Sequence, residues 1–81
     1  MNTRVGVVAI VIEDLLSAPA VNEILHNFSS IIVGRMGIPY KERKISVISI
    51  IVDGSTDEIS SLTGKLGNLK NVSVKSAITK N

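Results

Sequence analysis

Residues 31–53, IIVGRMGIPYKERKISVISIIVD, decide the fold. Two β-branched apolar stretches, 31–38 and 45–52, flank the hexapeptide PYKERK, which contributes a proline and four charges. The pattern predicts two strands joined as a hairpin by a solvated loop. Gly34 and Gly37 inside the first stretch, and Pro39 closing it, suit an edge strand or a bulge, where not every backbone group needs a ladder partner. The second stretch is apolar on both faces apart from Ser46 and Ser49, as a central strand covered on both sides would be.

On the N-terminal side, VGVVAIVI over 5–12 is apolar at odd and even positions alike, which predicts the other central strand. Glu13 to Leu16 turn the chain. Ser17 is expected to cap a helix over about 18–28, with Pro19 in its first turn where a missing N–H has no partner to lose. Val21, Ile24, Leu25 and Phe28 then share one helical face. On the C-terminal side, Asp53-Gly54 turn the chain and Ser55-Thr56-Asp57-Glu58 has the form of a capping box. It predicts a second helix near 56–66, with Ile59, Leu62 and Leu66 as its stripe and Gly67 as its stop. A last strand over 72–79 alternates Val72, Val74, Ser76, Ile78 against Ser73, Lys75, Ala77, Thr79, so one of its faces is less covered.

The chain is one unit written twice. VGVVAIVIED superposes on ISVISIIVDG with a shift of 40, apolar on apolar at Val7/Val47, Val8/Ile48, Ile10/Ile50 and Ile12/Val52. The order βαββαβ closes as a ferredoxin-like α+β sandwich whose antiparallel sheet runs 4-1-3-2, with right-handed crossovers and the most apolar strands central. Both helices then cover one sheet face, and the other face is left apolar. The set containing Ala9 and Ser49 is expected to be the open one, because small central residues let sheet approach sheet. An open apolar face in so small a domain points to self-association, as a homodimer or higher oligomer.

Composition bounds the rest. At 81 residues the chain makes one domain that buries only about 60–65% of its unfolded surface. Phe28 and Tyr40 are its only aromatic residues, so the core is aliphatic. The absence of cysteine removes disulfides, thiolate metal sites and cysteine nucleophiles. A net charge of +2, from nine basic against seven acidic residues, with the basic ones spread along the chain, is too weak to argue for nucleic acid, which is not an expected partner. Arg4, the apolar run and Ala18-Pro19-Ala20 imitate a signal peptide, but Glu13 and Asp14 break the run and the repeat needs that segment as a strand. No stretch reaches the roughly 20 apolar residues of a membrane helix, and a cytoplasmic location is expected. Gly64-Lys65 lacks the spacing of a phosphate loop. His26, the single histidine, points away from its helix's apolar stripe; without a second His or Cys it could ligate metal only across an oligomer.

Several segments together, VNEILH over 21–26, IIVGRMGIPY over 31–40, DEI over 57–59 and LTGKLG over 62–67, resemble the family of iron-only hydrogenase system regulators. The resemblance covers nearly the whole chain, 1–81. It implies one ACT-like domain, similar in fold to amino-acid-binding regulatory domains and to the C-terminal domain of nickel-responsive repressors. It also implies a cytoplasmic regulatory role in the hydrogenase system. The chain departs from the better-known relatives in having no DNA-binding arm before the first strand and no His/Cys cluster, so operator binding and nickel sensing are not expected.

The expected function is a non-catalytic, oligomeric module that responds to a small ligand or binds a hydrogenase-system protein. The alternatives are a purely structural interaction protein and a DNA-associated transcriptional regulator. No nucleophile–base pair is in evidence, and no catalytic residue, cofactor or metal site is assigned. A ligand or partner is expected at Arg35, Met36, Gly37 and Tyr40, joined by Glu13 and Asp14. The glycines leave edge backbone accessible, and the guanidinium of Arg35 suits a carboxylate or phosphate. The competing reading has the glycines marking a bulge and Arg35 pairing with an acid across the oligomer.

Overall fold

The computed structural model describes residues 3–80. Its elements are β1 (Arg4–Ile12), α1 (Ala18–Asn27), β2 (Ile32–Tyr40), β3 (Ile45–Gly54), α2 (Thr56–Gly67) and β4 (Val72–Ile78), with 3-10 turns at Leu15–Ser17, Ser29–Ile31 and Lys41–Arg43. The strands form an antiparallel sheet in the order β2-β3-β1-β4. This is the ferredoxin-like arrangement that the internal repeat predicts, with β1 and β3 central.

The register converts the repeat into symmetry. β1 and β3 pair antiparallel with Ala9 opposite Ser49, Val7 opposite Ile51 and Val11 opposite Val47. A shift of 40 and this pairing coincide only at Ala9 and Ser49, so the two halves are related by a local two-fold axis through that small pair. Side chains alternate along a strand, and each of the two sets therefore lies on one sheet face. Val8, Ile10, Ile12, Ile48, Ile50 and Val52 form the covered set and join Val21, Leu25, Ile59, Leu62 and Leu66 of the helices in the core. Ile24 and Phe28 of the expected α1 stripe are half-buried against it.

The caps differ between the helices. Ser55 Oγ accepts from the Glu58 N–H at 3.1 Å while Glu58 Oε1 accepts from the Ser55 N–H at 2.9 Å, a complete capping box. Ser17 does stand at the N-cap of α1, but its hydroxyl donates to the Lys70 carbonyl at 2.8 Å and makes no cap bond. The preceding 3-10 turn already supplies entry to the helix, with Asp14 Oδ1 accepting from the Leu16 N–H at 2.9 Å.

The boundaries of β2 and β3 differ most from those the sequence predicts, the other elements shifting by one residue at an end. Ile31 belongs to the 3-10 turn before β2 and is buried there. β2 does not stop at Pro39: it continues to Tyr40, with Pro39 opposite Ser46. An edge strand accommodates proline because many of its amides have no ladder partner. β3 runs through Asp53 to Gly54, so the expected turn there is still strand and the reversal falls at Ser55. The charged loop accordingly shrinks to one 3-10 turn, closed by Lys44 in the left-handed region at φ 56°. At Gly6 the chain depends on a missing side chain, since a Cβ would overlap the Ile78 side chain and lie 2.8 Å from the Ala77 carbonyl oxygen.

Candidate functional site

The first feature is the helix-free sheet face. By register it carries Val5, Val7, Ala9 and Val11 of β1, Val47, Ser49, Ile51 and, at the end of the strand, Asp53 of β3, and Met36, Ile38 and Tyr40 of β2. Val7 is 44%, Ile51 46% and Met36 64% exposed, whereas Val8 and Ile50, one residue away from Val7 and Ile51, are fully buried. This is the set with Ala9 and Ser49. Lys75, opposite Ala9 on edge strand β4, is the charge that borders it on that side.

The second feature is a recess of about 230 Å³ between α1 and β2, lined by Asn22, Leu25, His26, Ser29, Ile32 and Arg35. Arg35 reaches it because of a bulge. Ile32 pairs with Val52 and Gly34 with Ile51, leaving Val33 as the extra residue. Ile32 and Arg35, three apart, therefore both face the helices, since Arg35 is opposite Ile50. Regular alternation from Ile32 would have put Arg35 on the open face. Its Nη2 donates to Asn22 Oδ1 at 3.2 Å.

The third lies beyond the end of β1, where Glu13, Asp14, Leu15, Lys44 and Asn71 surround a wide recess of about 530 Å³. Both acids make bonds there. Asp14 caps its turn, and Glu13 Oε1 accepts from Ser73 Oγ at 3.5 Å, while the Glu13 N–H donates to the Asn71 carbonyl at 2.8 Å.

The six residues singled out in the sequence thus occupy three places. Arg35 and Gly37 face the helix side, Met36 and Tyr40 the open side, and Glu13 and Asp14 the end of β1. They do not converge on one site. The residues beside Arg35 that sequence reading did not join to it are Asn22, His26 and Ser29. Their signal was present: Asn22 and His26 are four apart on α1 and so adjacent on its surface. Among the described residues no group of three or more His, Asp or Glu is placed to hold a metal ion, and no helix is long and apolar enough to cross a membrane.

Architecture and open face define an ACT-like domain of ferredoxin fold. The ACT domain from GTP pyrophosphokinase of Chlorobium tepidum superposes with a TM-score of 0.72 at 18% identity, over 100% of this chain and 91% of that one. The C-terminal domain of the MgtC protein from Mycobacterium tuberculosis gives 0.72 at 10% identity, over 99% and 92%. At these identities the likeness is one of fold. The chain belongs to the TM1266-like family, described as "Iron-only hydrogenase system regulator, putative", whose pattern matches residues 4–76. Uncharacterized protein TM1266 from Thermotoga maritima is 39% identical, with a TM-score of 0.90 over 96% of this chain and 99% of that one. No curated protein matches the chain.

Proposed function

We propose that this chain is a non-catalytic regulatory module of the iron-only hydrogenase system that works in the cytoplasm as a homo-oligomer and changes stability on binding a small ligand. The observation that carries the reading is the open sheet face. A contiguous apolar surface of this kind is unfavourable in water and marks a contact surface. A second copy is the occupant its chemistry fits. An isologous contact sets one patch against itself, residue i on j and j on i, and here the patch is apolar at its centre, Ala9 and Ser49 with Val7, Val11, Val47 and Ile51 around them, while Asp53 and Lys75 stand at its margins. The local two-fold axis through that pair gives the face the same relief in two orientations, which suits an isologous contact.

Regulation rather than catalysis is supported by the family and by the side chains. The acids at the end of β1 are engaged in capping and strand contacts, and His26, on the exposed side of α1, shares its recess with the Ser29 hydroxyl but with no carboxylate to orient the ring. A thermal-shift series with amino acids, nucleotides and divalent metals tests the ligand response. A melting temperature that climbs with the concentration of one class supports it, because a ligand that binds only the folded state stabilises by mass action. A flat response to all three, from a protein that assembles normally, reduces the chain to a structural interaction protein.

A further inference from the structure

We propose that the recess between α1 and β2 binds a small monocarboxylate, with Arg35 gripping the carboxylate and Leu25 and Ile32 receiving its aliphatic part. The proposal rests on the ligand-responsive half of the function above and not on assembly through the sheet face.

Three observations converge on it. The Val33 bulge turns Arg35 from the open face to the side of α1. There its guanidinium is held by a neutral acceptor, Asn22 Oδ1 at 3.2 Å, which orients the fork without cancelling its charge. The remaining walls are Leu25, His26, Ser29 and Ile32, so the recess has one permanent cation, further polar groups from an imidazole and a hydroxyl, an apolar side, and no carboxylate. Within the recess no acid stands beside Arg35, and its side-chain partner is the neutral Asn22. The planar donors of Arg35 match a carboxylate in two-point contact.

The recess also discriminates between anions. It follows α1 from Asn22 toward Ser29, beyond the helix's C-terminal end at Asn27. Unpaired carbonyls give that end of a helix a partial negative charge, which opposes a dianion more than a monoanion. Arg35 alone could also meet a phosphate, but the lining holds no second permanent cation and no N-terminus of α1 or α2 to carry a dianion's further charge. A volume of about 230 Å³ suits a small organic acid.

The test is an NMR titration of the isotopically labelled full chain with sodium butyrate, sodium acetate, sodium phosphate and sodium chloride at matched ionic strength and fixed pH. The expected result is saturable shifts of the Arg35 side-chain N–H, the Asn22 amide and the His26 ring, tighter for butyrate than for acetate and weakest for phosphate. Arg35→Gln keeps a donor for Asn22 and removes the charge. It should weaken butyrate binding about tenfold or more, leaving melting temperature and sedimentation unchanged. Butyrate shifts no larger than those of chloride, or unaffected by Arg35→Gln, overturn the proposal, and so does phosphate binding more tightly than butyrate. Sedimentation of the same samples separates the two claims, because an assembled protein that ignores butyrate refutes only this site.

Discussion

The two faces of the sheet are built from nearly the same residues and meet different fates. On β1, Val8 and Ile10 are fully buried under the helices, while Val5 and Val7 on the opposite face are 47% and 44% exposed. β3 repeats the contrast with Ile50 and Ile51. The chemistry of the strand does not distinguish the faces; the helices do, by covering one of them. Burial on the helix side therefore drives folding of the single chain, and in the proposed assembly the apolar surface on the other side drives association. Substitutions should sort accordingly.

The largest effect is expected in the covered face and the helix above it. Leu62→Ala removes a fully buried side chain and should cost roughly 2–5 kcal/mol in urea denaturation. The similar truncation Ile51→Ala on the open face should change the stability of the dilute chain by less than about 1 kcal/mol. Equal losses would erase the distinction between the faces.

Gly6→Val comes next, with an expected cost of about 1–3 kcal/mol from overpacking. Gly6 belongs to the covered set, opposite both Val52 and Ile78, and a side chain there would press on Ile78 and the Ala77 carbonyl. Loosened β4 pairing, read as faster amide exchange at Ala77 and Ile78, is the accompanying signature.

Among the destabilising substitutions the smallest effect belongs to the α2 cap. Ser55→Ala should cost about 1 kcal/mol. The Ser55 main-chain N–H, and then its hydroxyl, hold the Glu58 carboxyl below its ordinary value of 4.5. Because the folded value is the lower one, this stabilisation is complete above the ordinary value and disappears as pH falls through the folded value. Melting curves from neutral pH into acid should show that slope in the wild type and a flatter one in Glu58→Gln.

Much of this arrangement was legible before the structure. Apolar residues at every position of 5–12 and 45–52 identify central strands, and the capping box starts α2 where Ser55 stands. Even the open face was readable, from the small pair Ala9 and Ser49. β2 was not. The glycines offered a bulge as one option without fixing its position; it falls at Val33, where it reverses the alternation that sequence reading relies on, and space does not demand glycine there, since a Cβ at Gly34 would meet nothing within 4 Å. Pro39 likewise looked like a terminator, because an edge position excuses a missing N–H only once the partner strand is known. The same bulge hid the surroundings of Arg35. The residue stood out by its chemistry, but its neighbours Asn22 and His26 come from α1, and only the register brings them together. The end of β1 was misleading in another way, since Asp14 is occupied as a cap.

Sedimentation velocity at micromolar concentration, run on wild type and Ile51→Asp together, tests the central claim most directly. The wild type should sediment as a dimer or larger, and Ile51→Asp as a monomer whose far-ultraviolet circular dichroism is unchanged, because Ile51 lies outside the folding core. A monomeric wild type, or an Ile51→Asp chain that stays assembled, would contradict the account.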